Sequence, residues 1–179
     1  MEIIIRPELK KEYSKTEEVV KRAFSNVEIS DKTEHLLVNR IRKSNAFIPE
    51  LSLLALNENK DRIGHILFSK VAIVDGGDAV EALALAPLSV EPEYQRKGVG
   101  SQLVHMGIKK ARELGYHSVI VLGHSEYYPK FGFKPASLWN IQAPFDVPDE
   151  IFMALELKPN ALENVQGIVQ YSSAFSDLD

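Results

Sequence analysis

Two long apolar runs, Ile63 to Val74 and Ala79 to Val90, are joined by Asp75-Gly76-Gly77-Asp78. That junction constrains the chain more than any other feature. Glycine supplies the positive φ values that a tight reversal demands, so the pattern predicts a long antiparallel hairpin. Leu51 to Leu56, another apolar run of strand length, precedes the polar turn Asn57 to Asp61 and extends the hairpin into a meander. After Val90 the period changes. From Gly98 to Leu114, helical spacing puts Val99, Leu103, Met106, Ile108, Ala111 and Leu114 on one broad face, and Gly115 is placed to end the helix. Such a chain must build a sheet and cover it with helices.

The remaining segments complete that plan. Ile3 to Arg6 reads as a short strand stopped by Pro7. Ser14 with Glu17, and Asp31 with Glu34, carry the capping-box spacing and predict two successive helices, the second running to about Ser44. Asn45 to Glu50 reads as a loop. Ser118 to Leu122 is short and nearly all apolar, as expected of a strand buried on both faces. Glu126 to Phe131 is long enough for a turn or two of helix, and Phe152 to Leu157 reads as a last, alternating strand. No repeat, low-complexity stretch or linker divides the sequence. The expectation is one domain over residues 1–179, of α/β class (α+β in some schemes), with a mixed, mostly antiparallel sheet of about seven strands.

Composition excludes several functions. A chain of 179 residues buries roughly 70% of its unfolded surface, enough for a core without staples. It has no cysteine, which removes disulfides, thiolate metal sites and cysteine nucleophiles. With 21 basic and 25 acidic residues the formal charge is −4, the wrong sign for nucleic-acid binding. Lys109, Lys110 and Arg112 read as a solvated helix face. No histidine pair or carboxylate cluster has metal-ligand spacing, so no metal is expected. Ile3 to Ile5 is too short an apolar run for a signal peptide, and no later segment reaches membrane-span length. The expected location is the cytoplasm, free of membrane. Gly123-His124-Ser125-Glu126-Tyr127 nearly matches a serine-hydrolase nucleophile elbow, but its last glycine is missing. None of the five histidines lies beyond position 124, where that fold needs one.

The most chemically informative residues run from Val90 through Glu91-Pro92-Glu93-Tyr94 and Gln95-Arg96-Lys97 to Gly98-Val99-Gly100-Ser101. A strand ends, a polar loop follows, and two glycines open a helix. Unpaired N–H groups and the positive end of the dipole face any ligand there, and glycine lets the backbone approach it closely. Arg96 and Lys97 add charge and Ser101 a hydroxyl. An anionic ligand fits this turn; the plainer reading is a tight connection and nothing more. A third glycine and a Gly-Lys-Ser/Thr ending are both lacking, so neither a dinucleotide fingerprint nor a P-loop is present.

Gln95-Arg96-Lys97-Gly98-Val99-Gly100 resembles the Q/R-x-x-G-x-G/A signature of the GNAT superfamily of acyl-CoA N-acyltransferases, in the place that family gives it. Tyr127-Tyr128-Pro129-Lys130-Phe131-Gly132-Phe133 is similar to its Y-x-x-x-G-F segment. The order of elements agrees over nearly the whole chain. Pro87-Leu88-Ser89-Val90, Val121 to Phe133, Ala154 to Leu157 and Tyr171 to Phe175 resemble one bacterial branch of N-acetyltransferases.

The resemblance implies an acetyl-CoA-dependent N-acetyltransferase acting on a primary amine by direct attack in a ternary complex. Its alternative is a non-catalytic acyl-CoA sensor or interaction module of the same fold. The coenzyme's diphosphate would sit on Gln95, Arg96, Lys97, Gly98, Val99, Gly100 and Ser101, and its pantetheine arm along Leu88, Ser89 and Val90. Pro87 supports this independently, since a proline within an apolar strand marks a bulge or an edge. The Leu88 N–H is the implied oxyanion donor. Tyr128 is the implied general acid, or a hydrogen-bond donor to the leaving thiolate, against the plainer reading of a packed aromatic; Tyr127 is the weaker candidate. His124 and Glu126 are base candidates, although a histidine after a strand is often structural and a carboxylate there can serve a helix start. Many relatives carry an asparagine where this chain has Val121. Trp139 reads as core or pocket wall. The acceptor, a small molecule or a peptide amine, would enter between the Phe47 to Glu50 loop and the Pro144 to Glu150 loop. Asp146, Asp149 and Glu150 in the latter suggest attraction of a cationic amine. Monomer and homodimer both remain open.

Overall fold

The computed structural model describes residues 1–28 and 30–176. Its elements in chain order are β1 (Ile4–Pro7), α1 (Tyr13–Phe24), α2 (Glu34–Arg42), β2 (Ser52–Leu56), β3 (Arg62–Asp75), β4 (Asp78–Val90) and α3 (Val99–Glu113). There follow β5 (Ser118–Leu122), β6 (Lys134–Pro135), β7 (Ile141–Gln142), β8 (Phe152–Glu156) and β9 (Gly167–Gln170). The hairpin closes with Asp75 opposite Asp78 and Gly76 at φ +60°. Around it the strand order is β1-β2-β3-β4-β5-β8-β6, with β9 pairing β3 and β7 pairing β9, nine strands where about seven were expected. β4 and β5 run parallel; the other pairs along that path are antiparallel. The sequence reading missed β6, β7 and β9, which have two to four residues each and no periodicity to read.

Helices cover both faces of the sheet. On β3, Gly64, Ile66 and Phe68 face α3, while Leu67 packs with Val20 of α1 and with Val38 and Ile41 of α2. Gly107 has a packing reason: a methyl group there would overlap the Phe68 ring, so the missing side chain lets α3 lie close on β3. The buried face of α3 is Val99, Leu103, Val104, Gly107, Ile108 and Ala111. Met106 and Leu114, expected on that face, are 39% and 40% exposed. They fall at its rim, where helical periodicity alone does not separate buried from solvent-facing positions.

Two helix starts shift from their expected places. Before α1, Lys10–Glu12 forms a 3-10 turn, and the Glu12 carboxylate accepts the Leu9 N–H at 2.8 Å. The Ser14 and Glu17 pair therefore lies inside the helix. Asp31 accepts both the N–H and the hydroxyl of Thr33, so it closes a turn ahead of α2 instead of capping it directly. Glu50 belongs to another 3-10 turn, Pro49–Leu51, at the end of the expected loop. β8 is buried from Phe152 through Ala154 and Leu155, not alternating, because β5 and β6 flank it and other chain covers both faces.

Two charged clusters tie β1, the helices and β2 together. Arg42, with its side chain 4% exposed, donates to both carboxylate oxygens of Glu8 and to Glu17, and its guanidinium lies 4.0 Å from the Tyr13 ring centroid. Glu8 also accepts from Thr16 and Ser52, and the Ser52 hydroxyl contacts buried His65 at 2.9 Å. Burial, with the charge of Arg42 second, depresses His65 to about 3. The second cluster centres on Glu12, which is bonded by Arg6 and Arg62. The Arg6 hydrogen bond foremost pulls its carboxyl from 4.5 to about 2. A depressed carboxyl stabilises the fold above its unfolded pKa and loses that contribution as the folded group protonates. Stability should therefore fall as pH drops from about 4.5 to about 2. Urea melts of Glu12→Gln across this window should show a shallower fall than wild type, and an unchanged slope would contradict the assignment.

Candidate active site

The site is made where the sheet opens. Along β3, Ile66 and Phe68 lie two apart, but their partners on β4, Leu88 and Leu85, lie three apart. The extra residue is a bulge at Ala86-Pro87, as the proline predicts. β4 pairs with β5 only at Leu83–Val119 and Ala84–Ile120. β5 meanwhile continues to Leu122, paired with β8. Beyond Ala84 the two strands diverge, and among the described residues the β4 edge facing β5 has no strand partner. Leu122, expected to be buried, is 45% exposed for this reason.

Register then sorts the β4 residues by face. Leu88 and Val90 oppose Ile66 and Gly64 and share the α3 side; Ser89 opposes His65 on the other. On the α3 side a cavity of about 470 Å³ is lined by Leu88, Val90, Gln95, Arg96, Gly98, Gly100 and Ser101, together with Tyr94, Tyr127 and Lys130. Most of the expected cofactor residues thus meet in one place. Three do not line it with side chains. Ser89 is buried on the opposite face, Val99 is core, and Lys97 is exposed with its ammonium 5.6 Å from the Tyr94 ring. Tyr94 and Lys130 were missed by sequence reading, since an aromatic in a polar loop and a lysine in a short turn carry no period.

Backbone conformation shapes this cavity. Arg96 at φ +62° and Gly98 at φ +86° wind the loop into α3. Gln102 is the first residue of α3 to donate back, to the Gly98 carbonyl at 3.1 Å. The N–H groups of Val99, Gly100 and Ser101 are left without intrahelical acceptors. A Cβ on Gly100 would stand 3.0 Å from the Tyr127 hydroxyl and within 3.8 Å of Leu88 and Val90, so the glycine keeps the cavity open. The loop is pinned: Gln95 donates to the Val90 carbonyl, Asn57 to the Tyr94 hydroxyl, and Arg22 to Glu91.

Tyr128 does not line this cavity; it is 8% exposed, its ring against Gly123, 5.0 Å from the Tyr127 ring and 5.6 Å edge-on from Phe133. Val121 is buried in the same core cluster. Burial first, and Tyr127 second, push the Tyr128 phenol well above the usual tyrosine value. Its neighbour Tyr127 reaches into the cavity, with the Lys130 ammonium 4.1 Å from its ring centroid. The side chains of His124 and Glu126 are exposed and line neither this cavity nor the one on the other face. The His124 carbonyl does accept the N–H groups of Tyr127 and Tyr128, which sets the turn that presents both tyrosines.

On the α1–α2 face, at the same opening, lies an apolar pocket of about 260 Å³. Its walls are Leu85 and Ala86 of β4, Ile120 and Leu122 of β5, Leu37 of α2, and an aromatic rim of Phe145, Tyr171 and Phe175. The two cavities flank one gap in the sheet.

The family model described as Acetyltransferase (GNAT) family matches residues 13–133, more than half of the chain. The chain belongs to the GNAT acetyltransferase family. Among curated GNAT proteins it is 40% identical over 142 residues to the uncharacterized N-acetyltransferase YjhQ of Escherichia coli K12, covering 79% of this chain and 75% of that one. It is 29% identical to the uncharacterized N-acetyltransferase YhbS of the same strain, over 97% and 99%. The crystal structure of E. coli YhbS in complex with CoA superposes at TM-score 0.86, with 27% identity over 97% of this chain and 91% of that one. A GNAT acetyltransferase from Brucella melitensis in complex with acetyl-CoA gives 0.79, with 31% identity over 98% and 99%. The enzyme is therefore an acyltransferase of GNAT fold. Among its described residues no helix is long and apolar enough to cross a membrane, and no cluster of potential metal ligands occurs.

Proposed function

We propose that the protein transfers an acetyl group from acetyl-CoA to a primary amine by direct attack within a ternary complex. One observation carries the reading: the bulge at Ala86-Pro87 opens the sheet beside a helix N-terminus whose glycine faces the cavity. The donor set suits a diphosphate: the N–H groups of the first turn of α3, the Arg96 guanidinium and the Ser101 hydroxyl. The unpaired β4 edge at Leu88, Ser89 and Val90 offers main-chain groups to an extended pantetheine arm, as an added strand would use them.

Acetyl-CoA supplies the activated thioester. In our reading the Leu88 N–H donates to the carbonyl oxygen as charge develops on it. Tyr128 keeps its proton, because a phenol near 10 donating fully to a thiolate near 8.5 is already uphill by about 2 kcal/mol, and burial widens that difference. It acts by hydrogen bonding to the leaving sulfur. His124 and Glu126 stand as base candidates, reachable through water from their exposed positions. Residues 1–179 are read as one catalytic domain, working in the cytoplasm on a small-molecule or peptide amine.

Since the chain has no cysteine to carry an acyl group, initial rates at varied acetyl-CoA and amine should give intersecting double-reciprocal lines. Parallel lines, the mark of a covalent acyl-enzyme, would overturn direct attack. Binding of acetyl-CoA without thiol release to any amine would favour the sensor alternative.

A further inference from the structure

The apolar pocket on the α1–α2 face reaches the opening in the sheet. Leu85 faces α3, opposite Phe68 on β3, yet it also lines this pocket on the other side, so the pocket extends down to the β4 main chain there. Ala86, the next wall residue, is followed directly by Pro87 and by Leu88, whose N–H is the oxyanion donor of the acetyl-transfer reading. On the β5 side the wall is Ile120 and Leu122, which share one face by strand alternation. Ile120 pairs with Ala84 at the last rung before the strands part. A nucleophile seated in this pocket lies beside the gap, on the face away from the start of α3.

The walls restrict what can be seated. Every described lining side chain is a hydrocarbon except that of Tyr171. Burial pushes the Tyr171 phenol up to about 12, so it stays neutral. Its ring stacks on Phe145 and lies 5.1 Å from Phe175, which makes the rim one aromatic surface. An ammonium between such walls loses hydration and meets no counter-charge, so its neutral form is favoured. Attack requires that form: the nitrogen bonds to the acetyl carbon, the C–S bond breaks, and the proton shed by nitrogen balances the one the leaving thiolate takes up. A second charged group on the acceptor would lose its hydration with no such gain.

The loops expected to admit the acceptor supply no charge to this pocket. Asp146, Asp149 and Glu150 are exposed and do not line it; Asp149 accepts the Ser137 hydroxyl, and the wall residue from that loop is Phe145. Nor does Phe47 to Glu50 line it, and Leu37 of α2 stands in the wall instead.

We propose that the acceptor is a monoamine with an apolar body and no second charge, the body held between Leu37, Leu122 and Phe145. This rests on the acetyl-transfer reading above.

The test measures kcat/KM at saturating acetyl-CoA for ethylamine, propylamine, butylamine and pentylamine, and for two amines with a charged far end, 1,4-diaminobutane and 4-aminobutyrate. Burial of the chain predicts a rise of about fourfold per added methylene. Both charged amines should fall at least tenfold below pentylamine, which has the shape of the diamine. Leu122 and Phe145 are exposed enough to be substituted without emptying the core. Phe145→Ala should flatten the alkyl series. Leu122→Asp puts a carboxylate in the wall and should lower the ratio of pentylamine to diamine by tenfold or more. Melting curves with and without acetyl-CoA check fold and cofactor binding in each variant.

A flat series in wild type, preference for either charged amine, or a slope and ratio untouched by both substitutions overturns the inference. Faster transfer to ethylamine from hexanoyl-CoA than from acetyl-CoA also overturns it, by making the pocket a seat for the acyl chain. So does failure to acetylate any of these amines while acetyl-CoA still raises the melting temperature, and that result leaves the acetyl-CoA site standing. Absence of the acetyl-CoA effect in wild type would overturn the underlying reading instead.

Discussion

Arg42→Met is expected to lower the unfolding free energy by about 3–5 kcal/mol, because it leaves Glu8 as an uncompensated buried charge. For a chain of this length that is a drop of about 6–20 °C in melting temperature. The Glu8 side chain is 1% exposed, and its remaining partners after the substitution are the hydroxyls of Thr16 and Ser52. The guanidinium also covers Tyr13 and bonds its carbonyl, so α1 and α2 lose a shared anchor. Removing both charges behaves differently, since a buried pair replaced by apolar groups is often neutral. Glu8→Met/Arg42→Met should recover most of the loss. A single substitution costing under about 1 kcal/mol would show that the pair is solvated in solution.

The second large effect concerns chemistry. Tyr128→Phe should reduce kcat by on the order of 10²-fold, the usual consequence of losing one donor aimed at developing charge. The acetyl-CoA KM should move little, since buried Tyr128 is not among the residues that line the cavity. Stability should hold, because phenylalanine keeps the contacts with Gly123 and Phe133. With the phenol raised by burial, the wild-type rate should show no falling limb from Tyr128 ionisation at or below its ordinary pKa of about 10. Equal rates in the variant would reduce Tyr128 to a packing residue, and Tyr127, with its hydroxyl facing Gly100, would become the donor to examine.

What was legible in the sequence divides along physical lines. The hairpin, α3 and the glycine turn were readable because each is a local constraint: a two-glycine reversal, a helical period, a glycine pair where a strand passes into a helix. Pro87 predicted the bulge for the same reason. Helix starts were less legible, because capping was taken over by Glu12 from the preceding turn, beyond the motif at Ser14. The second cavity was not legible at all. Leu37, Phe145, Tyr171 and Phe175 come from three distant segments and line one pocket only once the sheet has formed. Asp146 and Asp149 drew attention as charges, whereas the neighbouring Phe145 holds the wall.

The most direct test of the account is a thermal melt with and without acetyl-CoA, for wild type and for Gly100→Val. At about a hundredfold excess over Kd, ligand binding should add roughly 2.7 kcal/mol to the wild-type native state, or about 5–10 °C. Valine is a better helix former than glycine but fills the space beside Tyr127, Leu88 and Val90, so the variant should fold and show little or no shift. An equal shift in both proteins, or none in wild type at saturating acetyl-CoA, would contradict the placement of the acetyl-CoA site at the start of α3.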